Sequence, residues 1–253
     1  MVTFIGAGPG AADLITLRGA AALRKADIVI YAGSLVNPEL LEICPKECRI
    51  YNSAAMTLDE VMEVILQGCR EDKKVVRLHT GDPSLYGAIG EQMAILQKHG
   101  IEYDVIPGVS AFQAAAAALK TEYTLPEIAQ TVIITRAEGR TPVPEKERLQ
   151  ELAAHQSTMV LFLSATLAEK VRQDLLDGGY ASDTPAAVVY RASWPDEKVV
   201  RCTLDRIPEV FRENGTAPAL IIVGKVLSDE NVQAVKSRLY APDFSTGYRE
   251  AKG

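Results

Sequence analysis

Residues 74–90 constrain the fold of this chain more than any other stretch. The segment opens as a buried strand, breaks at Thr80-Gly81-Asp82-Pro83, and resumes as an apolar run that reads as a helix or helical turn. Pro83 fixes its own φ and biases Asp82 toward extended backbone, while Gly81 permits a close backbone approach or a positive φ. A strand end, a tight polar turn and a helix start form the junction at which open α/β sheets bind ligands. Asp82 is the lone carboxylate of this turn. It can act as the N-cap of an ordinary βα turn, or face a ligand above a floor of backbone groups.

The same pattern occurs twice more. The apolar strand 2–5 runs into Gly6-Ala7-Gly8-Pro9-Gly10, and strand 102–106 runs into Pro107-Gly108-Val109-Ser110-Ala111. Strands and helices alternate through this half, which predicts a parallel sheet with right-handed crossovers. All three turns then fall on one sheet edge. The first loop fails as a dinucleotide fingerprint. Pro9 stands where the turn should enter a helix, Gly10 comes one residue early, and strand 27–31 carries Asp27 at the wrong end to hold a ribose. The helices have readable ends. Thr16 caps 16–26, Thr57 and Glu60 form a capping box for 57–71, and Gly100 closes 86–99. The alanine run Ala114 to Ala118 lets helix 112–119 lie close to its neighbours.

A polar stretch at 120–129, interrupted by Pro126, marks the boundary to a second domain. Strands are expected at 132–135, 158–163, 186–190, 198–203 and 219–223, with helices at 147–154, up to 176, and 204–213. Two of these strands are joined by a short turn at 191–197, which predicts a mixed, partly antiparallel sheet. The fold class is therefore α/β in two domains, the first with a parallel sheet and the second with a mixed one. The expected bounds are 1–119 and 120–241, followed by a polar tail at 242–253; a chain of 253 residues suits two such domains.

Several function classes are disfavoured. The net charge of -6 and the lack of a basic tail argue against nucleic acid as a partner. Cys44, Cys48, Cys69 and Cys202 lack metal-ligand spacing and read as reduced cytoplasmic thiols, so no metal site is expected. There is no run long enough to span a membrane, no leader-like start and no P-loop. His79 precedes the central turn and could face a cleft or bond a backbone carbonyl; His99 and His155 read as structural. What remains is a cleft of small residues and backbone groups with few ionisable side chains. Such a site suits a reaction that depends on positioning more than on an acid–base relay.

The three turn motifs, in order and separation, resemble the tetrapyrrole methyltransferase family, and residues 219–224 match its closing strand. The likeness covers residues 2 to about 226. Within the family, segments 31–36 and 189–197 are similar to the branch that methylates C11 of a precorrin. The resemblance implies a homodimer of two-domain chains, with S-adenosyl-L-methionine held in a trough between the domains and S-adenosyl-L-homocysteine released. It carries cofactor contacts to Pro9, Gly81, Asp82, Leu85, Ser110, Ala111, Leu163, Ala192 and Ala219. Asp82 is the candidate catalytic residue. The family commonly has glycine where Thr80 stands here, which loosens the transfer of contacts at that position. A precorrin is a polycarboxylate, so an acidic chain must gather local positive charge. Arg136, Arg140, Arg191 and Lys198 are the candidates by loop position. Open alternatives are a sibling enzyme methylating another ring carbon, an RNA ribose methyltransferase, and a non-catalytic nucleotide-binding module.

Overall fold

The computed structural model describes residues 1–228, 237, 238 and 241–251. The chain forms two compact units. Unit 1 is Met1–Ala115 together with Arg191–Glu197, and unit 2 is Ala116–Tyr190 together with Lys198–Gly253. The division falls inside the alanine helix, before the expected boundary at residue 119, and the turn 191–197 joins the first unit. Residues 229–236, 239 and 240 of the expected second domain, and 252 and 253 of the tail, lie outside the described residues.

Unit 1 contains β1 (Val2–Gly6), α1 (Leu17–Leu23), β2 (Ile28–Tyr31), β3 (Arg49–Asn52), α2 (Leu58–Arg70), β4 (Val75–His79), α3 (Ile89–Lys98) and β5 (Tyr103–Ile106); α4 (Ala111–Leu119) begins in it. The sheet order is β3-β2-β4-β1-β5. Every pair is parallel. Gly6 pairs with His79 and Ile5 with Ile106, so β1, β4 and β5 end level on one edge. Successive strand residues face opposite sides of the sheet. Phe4, Ile30 and Val75 pack with Val61, Met62 and Ile65 of α2, and Ile5, Val29 and Leu78 pack with Leu23 of α1 and Leu40. Burial on both faces explains why these strands read as continuous apolar runs. The Thr57–Glu60 capping box starts α2, and Thr16 caps α1 by accepting the Gly19 N–H.

The expected helix 86–99 starts later, at Ile89. Tyr86 and Ala88 have φ of 56° and 50°, which a helix cannot contain. Gly87 lies against Pro83, whose carbonyl oxygen would be 2.2 Å from an added Cβ.

Unit 2 holds β6 (Val132–Arg136), α5 (Leu149–Ala153), β7 (Thr158–Phe162), α6 (Ala168–Asp177), β8 (Pro185–Tyr190), β9 (Lys198–Thr203), α7 (Ile207–Asn214) and β10 (Ala219–Val223). The order is β6-β7-β10-β8-β9, with β6 and β7 parallel and the other pairs antiparallel. Leu149, Val171, Leu175, Ile207 and Phe211 from its helices cover Met159, Leu161, Val188 and Ile221 of the sheet. The described tail folds on itself, Arg249 donating to the carbonyls of Ala241 and Phe244.

Two titratable side chains, Arg77 and His79, are built into the core of unit 1. Arg77, only 7% exposed, donates to the Ile30 carbonyl at 3.1 Å, to Gln92 Oε1 at 3.2 Å and to Ser53 Oγ at 3.1 Å. All three acceptors are neutral, so burial lowers its pKa to about 10. His79 stacks on Phe4 at 6.1 Å, and its buried Nε2 has no hydrogen-bond partner among the described residues. Its ring is buried and bonds no backbone carbonyl among the described residues. Burial first, and the Arg77 charge second, push its pKa down to about 3.

Folded His79 is thus neutral where an unfolded histidine, near 6.5, begins to protonate. Its contribution to stability is complete above about pH 6.5 and falls as pH drops toward about 3, by at most ~1.4 kcal/mol per unit. His79→Phe should flatten the decline between about pH 6.5 and 4.5, measured by urea unfolding at stepped pH. Parallel declines in parent and variant would show that His79 does not titrate this way.

Candidate functional site

The level strand ends bring the three turns into backbone contact. A Cβ on Gly6 would lie 2.5 Å from Gly108 Cα, and one on Gly108 would lie 2.2 Å from the Gly81 carbonyl oxygen. No side chain fits at either position. Gly8 and Gly81 exchange hydrogen bonds, N–H to carbonyl, at 3.2 and 2.8 Å, and the Ala7 N–H donates to the His79 carbonyl at 2.7 Å. Gly81 has φ of 62°, which glycine adopts without strain.

Asp82 fastens the third turn. Its Oδ2 accepts the Gly108 N–H at 2.8 Å, and its Oδ1 accepts the Ser84 N–H at 2.9 Å and the Ser84 hydroxyl. Burial alone would raise its pKa, but the Ser84 hydroxyl, the Gly108 N–H and the Ser84 N–H together hold it below the ordinary value. It is therefore a carboxylate at neutral pH. It caps no helix, because the following residues form turns up to Ile89. The cap reading gives way to an Asx turn with a strut to the turn that follows β5. Ser110 is buried and its N–H donates to Gln113 Oε1 at 2.8 Å, which fixes the start of α4. Ser110 Cα and the Ala111 nitrogen would each lie 3.6 Å from a Cβ on Gly81.

Pro9, Gly81, Asp82, Leu85, Ser110 and Ala111 thus all belong to the turn edge of unit 1. The loop offers less backbone than its sequence suggests. The Pro9 carbonyl accepts Trp194 Nε1–H at 3.1 Å, the Gly10 carbonyl accepts Asn37 Nδ2–H at 3.0 Å, and the Ala11 N–H donates to Ser193 Oγ at 3.0 Å. Sequence reading gave Trp194, Ser193 and Asn37 no role. The available signal was the chain's one tryptophan, set beside Pro195 in an otherwise polar turn. Ala192, in the same turn, is buried.

Leu163 and Ala219 belong to unit 2. Leu163 follows β7 with φ of 52° and is 67% exposed, an apolar side chain and a strained backbone together. Ala219 opens β10 opposite Tyr190.

The basic candidates separate by how they are held. Arg191 belongs to unit 1, not to a second-domain loop as expected; it pairs with Asp196 at 2.7 Å and its guanidinium stacks 4.2 Å from the Trp194 ring centroid. Arg136 ends β6 and donates to the carbonyls of Thr141 and Pro142 at 3.1 and 2.7 Å, so its charge is fixed but not neutralised. Lys198 opens β9 and donates to Asn214 Oδ1. Arg140 is exposed and has no hydrogen-bond or ion-pair partner among the described residues.

A depression lined by Thr3, Ala22, Lys74, Val76 and Val105 lies at the opposite, strand-start edge of unit 1 and contains none of the candidates. The turn edge is the better candidate, since ligands of open α/β sheets bind at the carboxyl ends of strands. Among the described residues the four cysteines are free, and no group of three or more His, Cys, Asp or Glu could hold a metal.

A family model described as Tetrapyrrole (Corrin/Porphyrin) Methylases matches residues 1–208. The cobalt-precorrin-4 C(11)-methyltransferase of Methanocaldococcus jannaschii is 54% identical over 251 residues, covering 99% of this chain and 96% of that protein. A solved cobalt precorrin-4 methyltransferase superposes with a TM-score of 0.88 at 48% identity, over 90% of this chain and 95% of the other. A solved uroporphyrin-III C-methyltransferase of Thermus thermophilus, complexed with S-adenyl homocysteine, gives 0.76 at 28% identity, over 89% and 98%.

The glycine contacts predict opposite outcomes for one substitution at two places. Gly108→Ala should destabilise the protein by ~1–3 kcal/mol or more, because the backbone must part to admit a methyl group. Gly90→Ala, in the first turn of α3 where an added Cβ meets nothing, should stabilise it by up to ~0.5–1 kcal/mol. Urea unfolding of the two variants checks both; equal midpoints would show that the turns are not in contact.

Proposed function

The chain belongs to the tetrapyrrole (corrin/porphyrin) methylase family, and from that premise we infer that it is an S-adenosyl-L-methionine-dependent methyltransferase. Its substrate is precorrin-4 or cobalt-precorrin-4, which it methylates at C11 during construction of the cobalamin ring. The observation that carries this reading is likeness over the whole chain to enzymes bearing that activity, rather than to one shared motif. We further propose that it works as a cytoplasmic homodimer, as the family resemblance implies. No helix among the described residues is long and apolar enough to cross a membrane.

Gly81, Asp82, Leu85, Ser110, Ala111, Pro9 and Ala192, all of unit 1, are assigned to the cofactor, and the family resemblance adds Leu163 and Ala219. Two observations support the fit. Asp82 is a fixed carboxylate suited to a cationic ligand, and Leu163 is an exposed apolar group on strained backbone. When bound, the cofactor would supply an electrophilic methyl group carried on a sulfonium, with a neutral thioether as the leaving group. The chain's task is to hold that methyl in line with the carbon. Positive charge disappears at sulfur, so a rigid, weakly polar wall favours the transfer more than a strong acid would. In this reading Asp82 sets the turn and favours the charged cofactor over its neutral product. For the ring carboxylates, Arg140 and the uncompensated Arg136 are better suited than Arg191, whose charge Asp196 already balances. Lys198 is a weaker candidate, held by Asn214.

Asp82→Ala should lower kcat/KM for methyl transfer at least tenfold while the protein remains folded, since loss of its bonds costs only ~1–3 kcal/mol. Steady-state assays with labelled S-adenosyl-L-methionine and precorrin-4, beside a thermal melt, make the test. Unchanged kinetics would reduce Asp82 to a structural strut.

Arg140→Ala should raise the precorrin KM up to about fivefold at low salt, the scale of an exposed ion pair, and this effect should fade at high salt. Affinity for S-adenosyl-L-homocysteine, measured by calorimetry, should stay constant. A KM equal to the parent's at both salt levels removes Arg140 from the substrate site.

A further inference from the structure

We infer that Trp194 is a positioning residue for cofactor binding, and that the turn Arg191–Glu197 is a clamp built to hold the Gly6–Gly10 loop in its binding geometry. The inference rests on the reading above that this loop belongs to the cofactor site. Three observations carry it.

The first is the completeness of the grip. Gly8 and Gly81 bond each other's backbone, and the next polar groups, the Pro9 carbonyl, the Gly10 carbonyl and the Ala11 N–H, are each held by a side chain. Two of those side chains, Trp194 and Ser193, come from the turn, more than 180 residues along the chain. A loop so held has few conformations left, and a ligand need not supply the ordering itself.

The second is steric. A Cβ on Gly10 would lie 2.2 Å from the indole ring of Trp194. The loop and the ring therefore fit only as glycine against tryptophan, and the third glycine of the motif is explained by the clamp rather than by a nucleotide.

The third is bracing within the turn. Arg191 and Ser193 have φ of 44° and 69°, conformations that cost free energy in residues with side chains. Arg191 stacks on the indole and pairs with Asp196, and the Glu197 carboxylate accepts the Ser193 N–H at 2.7 Å. These contacts aim the indole N–H and the serine hydroxyl at the loop. A turn serving only to join β8 to β9 would need neither the strain nor the bracing.

Trp194 is the only tryptophan of the chain, so its fluorescence reports on the clamp alone. Trp194→Phe keeps the ring and removes the donor, and Trp194→Ala removes both. With S-adenosyl-L-homocysteine as the probe, calorimetry should show Kd raised roughly fivefold in the phenylalanine variant, the worth of one neutral hydrogen bond, and further in the alanine variant. The KM for S-adenosyl-L-methionine should rise with it while kcat changes less than twofold. The melting temperature of the phenylalanine variant should stay close to the parent's, which separates positioning from general instability. In the parent, tryptophan emission should change along the same binding curve as the calorimetry. Amide exchange at Ala11, whose N–H meets Ser193, should quicken in both variants without ligand. A parent that binds the probe beside variants that bind it equally well, with the parent KM, overturns the inference alone. A parent that binds no S-adenosyl-L-homocysteine overturns the methyltransferase reading, and the cofactor role of the clamp falls with it.

Discussion

Backbone contact among Gly6, Gly81 and Gly108 is the constraint on which the turn edge depends. Three parallel strands that end level would ordinarily splay their following loops, because side chains there need room. Hydrogen in place of a Cβ at Gly6 and Gly108 removes that need, and the turns close on one another. Once they touch, the Asp82 carboxylate can reach the Gly108 N–H in the neighbouring turn, and the Gly8–Gly81 bridge can form. The hydrogen bonds follow from the steric condition and could not compensate for its loss.

The same edge shows how the chain divides its polar groups between architecture and ligand. Backbone donors and acceptors after β1 are mostly consumed within the protein. Beneath them Arg77 keeps a full charge in the core, held only by neutral oxygens, and His79 is kept neutral beside it. Burying a guanidinium without a carboxylate is expensive, yet each of its three nitrogens is satisfied, linking β4 to β2, to Ser53 and to α3. This network stiffens the strand that leads into Gly81 from below, as the clamp stiffens the first loop from the side.

Much of this was legible in sequence, for identifiable reasons. The parallel sheet of unit 1, the Thr57 capping box and the mixed character of the second sheet follow from the pattern of elements along the chain, which needs only neighbours in sequence. Convergence of the three turns followed from one topological rule about parallel sheets. Three things were not legible. The delayed start of α3 rests on left-handed Tyr86 and Ala88, conformations that nothing in their residue types requires. The role of Trp194 depends on a contact with Gly10 across most of the chain. The state of each arginine was hidden as well. Loop position alone ranked Arg136, Arg140 and Arg191 together, whereas their partners make one fixed and charged, one unpartnered among the described residues and one neutralised.

That last distinction bears on how a chain of net charge -6 can take a polycarboxylate. Counting cations is the wrong measure. An arginine paired with aspartate contributes a dipole whose field falls away quickly, while one held by carbonyls keeps its full unit charge and a fixed position. Arg136 is of the second kind, and Arg201, bonded to the carbonyls of Leu119 and Leu227, is another in unit 2. Carbonyl anchoring thus lets an acidic protein present positive charge without enlarging its basic content. It also limits what such a charge can do. A guanidinium that spends some of its five donors on carbonyls attracts a carboxylate through its field and has fewer left to grip it, so much of the ring's orientation must come from elsewhere. Shape and apolar contact with the macrocycle are the remaining means, and they suit a transfer in which the position of one carbon, rather than the total charge, decides the product.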